Sequence, residues 1–262
     1  MQEGIFIAAS AGLKQGRKLD VIANNLANIN NTGYKRDRLV FKELMPPFPH
    51  DAAMQGEENV LAQTEKTNSN VSYVAITDQY TVYKQGAIKE TGAPLDLALN
   101  GEGFFSILTK EGIRYTRNGN FRLDTANRIV NQKGEPLLNA QNEPIVINTQ
   151  GGSISIDQNG NIFTGSGQGN TIVGRIKLVN FDNPQTLEKA GDGMFLQNNP
   201  ENQEKQANPF IRQGYLESSN VSAVEEMTNM MATLRLFETY QKMIQSIDSM
   251  DDQSANNIGR VG

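Results

Sequence analysis

The chain has 262 residues, enough for one large or two small domains with a substantial core. A formal net charge of −5 and the lack of any run of about 18 apolar residues argue against nucleic-acid binding and against membrane insertion. The sequence has no cysteine, which excludes disulfides, thiolate metal sites and a cysteine nucleophile.

Residues 3–31 have the pattern of a helix. Small and apolar residues recur there with the alternating +4 and +3 spacing of a coiled-coil seam. The seam residues are Ile5, Ala9, Gly12, Gly16, Leu19, Ala23 and Leu26. Gly12 and Gly16 predict that another backbone approaches this helix closely. Thr32 and Gly33 read as the end of the helix, with Gly33 available for a left-handed cap.

Five asparagines occupy the eight positions 24–31, although asparagine is a mediocre helix former. On a helical wheel Leu19, Ile22, Leu26 and Ile29 share one face, Asn24, Asn28 and Asn31 share the other, and Asn25 lies at the flank. Amides can be buried in hydrogen bonds without desolvating a charge. Two interpretations stay open: a polar contact with further subunits, or fraying and capping of the helix near Gly33.

The N-terminal residues do not form a convincing signal peptide. The only early charge is Glu3, and the apolar run that follows is short. We therefore expect no cleaved signal peptide.

Residues 71–199 read as a central all-β domain. Short β-rich runs alternate with the turn signals Asn100-Gly101, Asn118-Gly119, Asn159-Gly160 and Asp192-Gly193, pairs that are typical of hairpins. Residues 152–164 in particular predict a hairpin. Residues 36–70 and 200–218 are polar and are predicted to be connectors.

Residues 219–262 return to a helical pattern. Ser219 or Asn220 could cap this helix, and Glu225 and Glu226 stand where the helix dipole favours acids. The predicted seam consists of Met227, Met230, Leu234 and Phe237, and it is extended by Ile244, Ile247 and Met250. Met231 and Met243 are also interpreted as seam residues.

The two terminal helices are predicted to pair with each other. Residues 1–38 carry six basic and three acidic side chains, a net charge of +3, whereas residues 217–262 carry three basic and seven acidic ones, a net charge of −4. Opposite charge would steer the helices together. The expected fold is α+β, in which residues 1–35 and 219–262 form a coiled-coil-like helical domain beside the central β domain.

No constellation for catalysis is visible. His50 is the only histidine and stands in a Pro-rich connector, so no histidine pair is available for a metal. We expect no enzyme activity, no metal and no cofactor.

Three separated stretches carry a family resemblance. "NNLANINNTGYKR" resembles the N-terminal signature of the flagellar rod and hook proteins. "TGAPLDLALNGEGFFSI" with "YTRNGNF" and "GYLESSNVSAVEEMTNMM" are similar to its central and C-terminal signatures, in the same order. The resemblance covers most of the chain, and the length and the β domain suit both the proximal-rod and the distal-rod types. The stretches "KELMP" and "LRLFETYQKMIQSIDSM" depart from the distal-rod pattern, which makes the proximal-rod type the first choice and the distal-rod type the second.

The resemblance implies a mechanical role. Paired terminal helices would form an inner tube around an export channel, with the β domain outside. The partners would be copies of this chain, other rod proteins and the flagellar type III export system. The proposed assembly interface would comprise the seam and amide residues Ile5, Gly12, Gly16, Leu19, Ile22, Asn24, Asn25, Leu26, Asn28, Ile29, Met227, Met230, Leu234, Phe237, Ile244 and Ile247.

A second class of function stays open on the residues alone. A β-domain binding module or adhesin with coiled-coil ends would show a similar pattern. The two classes differ in whether the terminal helices need neighbouring subunits, since most of the stability of a helix comes from packing.

Overall fold

The computed structural model describes residues 2–44, 73–147, 153–166, 169–207 and 209–258. Within these residues it has two α-helices, one near each end of the chain, and a β-rich region between them, which confirms the predicted α+β class. His50 and most of the predicted connector 36–70 lie outside the described residues. The helices are α1 (Gln2–Ala27) and α2 (Ala223–Ile258).

The strands of the described residues, in chain order, are β1 Asp37–Leu44, β2 Tyr73–Thr81, β3 Ile88–Glu90, β4 Leu97–Asn100, β5 Phe104–Thr109, β6 Gly112–Thr116, β7 Arg122–Leu123, β8 Ile129–Val130, β9 Ser153–Ile156, β10 Asn161–Ser166, β11 Gly169–Arg175, β12 Leu178–Phe181, β13 Leu187–Lys189, β14 Met194–Gln197, β15 Glu204–Gln206, β16 Phe210–Gln213 and β17 Tyr215–Glu217. A 3-10 helix at Pro184–Thr186 lies between β12 and β13.

The chain divides into two compact units. Unit 1 consists of residues 1–24, 37–80 and 224–262, and unit 2 consists of residues 25–36 and 81–223. Unit 1 contains most of both helices and the two-stranded sheet β1–β2. The segment that follows α1 therefore belongs with the β-rich unit.

Unit 2 is built from antiparallel sheets. The largest has six strands in the order β13-β14-β6-β5-β12-β15, and a three-stranded sheet has the order β11-β10-β9. Strands β4 and β3 pair with β16 and β17 from the far end of the unit. The expectation that residues 200–218 are a connector was wrong, because β15, β16 and β17 complete these sheets. Strand β15 pairs with β12, about 25 residues earlier in the chain, whereas β16 and β17 pair with strands at least 110 residues earlier.

Strand β5 separates the two hydrophobic cores of unit 2. Successive side chains of a strand point to opposite faces, so Phe105 and Ile107 enter the larger core and Phe104 enters the smaller one. In the smaller core the ring centroids of Phe104 and Phe195 are 5.6 Å apart in an edge-on arrangement. Both faces of β5 are thus buried, which makes this strand the centre of the unit.

Two of the four predicted turn pairs form hairpins. Asn159-Gly160 joins β9 to β10, which confirms the hairpin expected over 152–164, and Asp192-Gly193 joins β13 to β14. Asn118-Gly119 does not form a hairpin. There the Leu97 N–H donates to the Gly119 carbonyl at 2.9 Å, and a Cβ on Gly119 would overlap the Leu97 carbonyl oxygen. The same dipeptide serves close backbone approach at one site and turn geometry at another.

An eight-residue repeat, absent from the sequence-based predictions, builds the middle of unit 2. "IVNQKGEP" (129–136) is followed directly by "LLNAQNEP" (137–144). The repeat places Ile129, Leu137 and Ile145 in the core, and their backbones bond in a closed ring. The Ile129 N–H donates to the Ile145 carbonyl at 3.0 Å, and the Ile145 N–H donates to the Leu137 carbonyl at 3.1 Å. The Leu137 N–H donates to the Ile129 carbonyl at 2.9 Å, which closes the ring.

Each repeat turns through the same side-chain motif. An Asp or Asn oxygen accepts from the backbone N–H groups two and four residues later, as at Asn131, Asn139, Asp124 and Asp157. Such side-chain oxygens mimic a backbone turn.

Replacing Asp124 by asparagine is expected to lower stability at neutral pH but not in acid. The backbone N–H of Arg128 and, further, its guanidinium and the Ala126 N–H lower the pKa of Asp124 below its ordinary 3.8. A lowered carboxyl pKa stabilises the fold above that ordinary value and stops doing so as pH falls through the lower folded value. Urea unfolding at several pH values should show a wild-type advantage that shrinks below pH 3.8. A difference independent of pH would contradict this origin.

Candidate assembly interface

In unit 1 the two helices pack together in opposite directions. A Cβ built on Gly4 of α1 would lie 3.6 Å from Cδ1 of Ile247 in α2. From Ile247, α2 continues only to Ile258, whereas α1 continues from Gly4 to Ala27. The other end of α1 lies near the start of α2, because Asn25 accepts from the Tyr34 hydroxyl and the Tyr34 carbonyl accepts from the Asn220 N–H. The two helices therefore run antiparallel.

The buried positions of α1 match the predicted seam only in part. Gly12 of the seam is buried, and so are Ala8, Gln15 and Ile22, which lie outside the seam, whereas Ala23 of the seam is exposed. A Cβ on Gly12 or Gly16 would meet no atom within 4 Å in the described structure. The close backbone approach predicted at these glycines is therefore not made by α2 of the same chain.

The structure places the sixteen predicted interface residues at three levels of burial. Buried in the single chain are Gly12, Ile22 and Asn25. Half-buried are Ile5, Gly16, Leu19, Leu26, Asn28, Ile29, Met230, Phe237, Ile244 and Ile247. Exposed are Asn24, Met227 and Leu234.

Large apolar side chains are exposed on both helices. On α1, Phe6 and Leu13 stand seven residues apart and are 63% and 73% exposed. On α2, Leu236, Met243 and Met250 repeat the same spacing, each about half exposed. The sequence-based interpretation included Met243 and Met250 but not Phe6, Leu13 or Leu236, because the sequence alone does not tell which of several apolar stripes faces the paired helix. Each helix therefore keeps an apolar face available after the intrachain pairing.

Charged side chains connect each helix of unit 1 with strand β1 and contribute little stability. Arg38 and Glu225 form an ion pair at 3.3 Å, but both side chains are nearly half exposed. Exposed pairs of this kind contribute about 0–1 kcal/mol. The Lys14 ammonium also lies 4.4 Å above the ring of Phe41.

The asparagines end α1 earlier than predicted. The helix stops at Ala27, and residues 28–30 form turns in which the Asn28 N–H donates to the Asn25 carbonyl at 3.2 Å. The Asn31 amide donates to the Asn28 side chain at 2.6 Å, and the buried Asn25 accepts from the Tyr34 hydroxyl at 3.2 Å. Local hydrogen bonding of this kind is the reason asparagine favours helix ends. Gly33 does adopt the predicted left-handed conformation, at φ 69°, six residues beyond the helix.

Unit 2 contains a buried ionic cluster that the sequence-based predictions missed. The Glu217 carboxylate accepts from Lys35 Nζ at 2.6 Å, from Arg117 Nη1 at 3.3 Å and from the Gly86 N–H at 2.9 Å. All three charged side chains are at most 5% exposed. Burial lowers the pKa of Lys35 and of Arg117, and attraction to Glu217 opposes that shift in each.

The cluster joins the three sequence signatures. Lys35 belongs to the first signature, Arg117 to the second and Glu217 to the third. Gly33 also takes part, because its N–H donates to the Glu217 carbonyl at 2.7 Å and a Cβ there would overlap the Arg117 backbone. Two basic residues and one acidic residue, each within a different signature, were the only indication of this cluster in the sequence.

Helical stretches with exposed apolar faces, attached to a β-rich unit, define a structural subunit built for assembly. Neither helix has, over its described residues, a segment long and apolar enough to cross a membrane. Among the side chains that the structure describes, no group of three His, Cys, Asp or Glu is placed to hold a metal ion.

Comparison with known proteins agrees with this class. Residues 5–35 match the family described as flagella basal body rod protein. Residues 98–164 match the flagellar hook protein FlgE/F/G D1 domain, and residues 212–258 match the flagellar basal body rod FlgEFG protein C-terminal region.

Similar proteins include rod proteins of two types. The chain is 30% identical to the flagellar basal-body rod protein FlgF of Caulobacter vibrioides, over the full length of both chains. It is 32% identical to FlgG of Bacillus subtilis, covering 91% of this chain and 92% of that one, and 32% identical to FlgG of Borreliella burgdorferi, covering 99% and 100%.

The chain belongs to the family of flagellar basal-body rod proteins, of the FlgF or FlgG type. It is therefore a structural subunit and not an enzyme. Family membership places it in the rod of the flagellar basal body and implies assembly with other rod and hook proteins.

Proposed function

We propose that this rod subunit assembles helically through its terminal helices around the export channel and helps to transmit torque from the motor to the hook. The apolar exposure of both helices carries this proposal. Leu13 is 73% and Met231 is 55% exposed in the single chain. Burying apolar surface is favourable by about 25 cal/mol per Å². In the assembled rod, the helices of neighbouring subunits would bury these exposed side chains.

The proposed interface consists of the sixteen predicted residues together with the exposed apolar stripes. Residues 1–35 and 219–262 would form the core of the rod, and the central β domain would lie outside it. Gly12 and Gly16, with open space beside them, would admit the backbone of a neighbouring subunit.

The proposed type is FlgF, the proximal-rod type, with FlgG, the distal-rod type, as the alternative. The proposed partners are copies of this chain, rod proteins of the FlgB, FlgC, FlgG and FliE types, and the flagellar type III export apparatus, which would export the chain without cleavage. The rod would lie where the basal body spans the periplasm. We propose no nucleic-acid partner, no membrane insertion and no cofactor.

Deletion and complementation test the proposal. Bacteria whose own copy of this gene is deleted should lose swimming and regain it when the chain is supplied. Purified basal bodies should contain the chain within the rod. Intact rods in the deletion strain, with the chain found on the cell surface, would favour the adhesin instead.

The amides provide a finer test of the interface. Asn28→Asp keeps the oxygen that accepts from Asn31 but adds a charge, whereas Asn28→Ser stays neutral. If Asn28 lies in a polar contact between subunits, the aspartate variant should lose swimming while the serine variant keeps most of it, because an unpaired buried charge costs far more than a shortened amide. Equal and mild effects in soft-agar motility assays would leave only the local turn role.

A further inference from the structure

The backbone passes between the two units at four places. Unit 2 consists of residues 25–36 and 81–223, so the crossings fall at residues 24–25, 36–37, 80–81 and 223–224. Any force passed along the chain from one unit to the other is carried by these four crossings.

Within unit 2, hydrogen bonds join the chain segments that lead to the four crossings. The Tyr34 hydroxyl donates to Asn25, which links the first crossing to the second. The Val82 N–H donates to the Arg36 carbonyl at 2.9 Å, which links the second to the third. The Asn220 side chain accepts from the Arg36 N–H at 2.8 Å and donates to the Val82 and Lys84 carbonyls at 2.7 and 2.9 Å, which adds the fourth.

The buried ionic cluster lies on the same segments. Lys35 Nζ donates to Glu217 and to the Lys84 carbonyl at 3.0 Å, and Glu217 receives the Gly86 and Gly33 N–H groups. Hydrogen bonds inside a low-dielectric, water-free site are stronger and more rigid than exposed ones. Asn220 and Glu217 thus bind the same three chain segments, one through neutral bonds and the other through charged ones.

We propose that Asn220 and Glu217 tie the chain segments at the four crossings into one bonded unit, which we call the clamp. The clamp distributes a load over all four segments, so that no segment is pulled away from unit 2 before the others. The clamp rests on the proposed function, since only a torque-bearing subunit loads the crossings repeatedly. Asn220 is a positioning residue in this scheme. Its side chain supplies the hydrogen-bond partner of the Arg36 N–H and of the Val82 and Lys84 carbonyls, at the place where regular sheet pairing ends.

Asn220→Ala tests the clamp, and Asn131→Ala is its matched control. Asn131 is a half-buried amide of unit 2, as is Asn220. It also makes three side-chain bonds, to the Lys133 and Glu135 N–H groups and to the Glu135 carboxylate, and all three stay within residues 131–135. In the purified full chain, amide hydrogen exchange at Arg36 and Val82 should become about tenfold faster or more in Asn220→Ala, with Phe105 and Ile107 unchanged. Unchanged exchange at Arg36 and Val82 in Asn220→Ala, or an equal acceleration there in the control, would overturn the clamp.

A milder variant keeps the test decisive if Asn220→Ala unfolds. Tyr34→Phe removes only the hydroxyl that reaches Asn25, and it should accelerate exchange within residues 25–36 alone. Acceleration spread evenly over unit 2 would overturn the clamp, because it would reflect general loss of stability.

Motility under load tests the mechanical role. Cells carrying Asn220→Ala should swim like wild type in dilute medium and lose speed sooner as viscosity is raised, whereas Asn131→Ala cells should follow wild type throughout. Equal performance of Asn220→Ala under load would overturn the load-sharing role. Failure of the wild-type chain to restore swimming would instead overturn the proposed function, and the exchange result would still decide whether the crossings are tied.

Discussion

Replacing Glu217 by leucine is expected to lower the free energy of unfolding of unit 2 by about 3–5 kcal/mol, the usual cost of breaking a buried ion pair. The variant would leave Lys35 and Arg117 buried with no anion between them, and the Gly86 N–H without its acceptor. Urea unfolding monitored by near-ultraviolet circular dichroism would report the loss as a lower midpoint.

Asp182→Leu is the matched control for this prediction. Asp182 pairs with Lys205, and both side chains are more than 60% exposed, so this change should stay within about 0.5 kcal/mol. Lys35→Met should fall between the two, because Arg117 still neutralises Glu217. If the Glu217 and Asp182 variants lost equal stability, the cluster would not be holding the signatures together.

Leu234→Glu is expected to abolish incorporation into the rod while the isolated chain stays folded. Leu234 is 41% exposed in the single chain, so the new carboxylate would remain in water and change stability by about 0.5 kcal/mol at most. At a subunit contact the same charge would be desolvated without a partner, at a cost of several kcal/mol. Loss of swimming, with the chain absent from purified basal bodies, would be the readout.

Ser249→Glu introduces the same charge at an exposed position of α2. This control should assemble and swim, because the residues three and four positions away on either side, Gln245, Ser246, Asp252 and Gln253, are all polar. Incorporation of both variants would show that Leu234 is outside the interface. Failure of both variants to assemble would show that α2 tolerates no added negative charge. The loss of assembly could then not be assigned to the apolar stripe.

The two terminal helices illustrate what local patterns can predict. Their periodic apolar residues required helices, and their opposite net charges favoured pairing. The stripe that meets the other helix was harder to predict. The helix α2 carries apolar residues on several sides, and a rotation about its axis by part of a turn exchanges these sides. Packing selected Ala8 and Ile22 on α1 and left Leu13 in solvent.

Local propensity and contiguous motifs were enough to predict the α+β order, the hairpin turns at Asn159-Gly160 and Asp192-Gly193, and the resemblance to the rod family. Three other features depend on packing between distant parts of the chain: residues 200–218 complete sheets, the asparagines close the end of α1, and Lys35, Arg117 and Glu217 meet. Lys35 and Glu217 lie 182 residues apart along the chain. No local pattern encodes such a contact, because its stability comes from the burial that the folded sheets create.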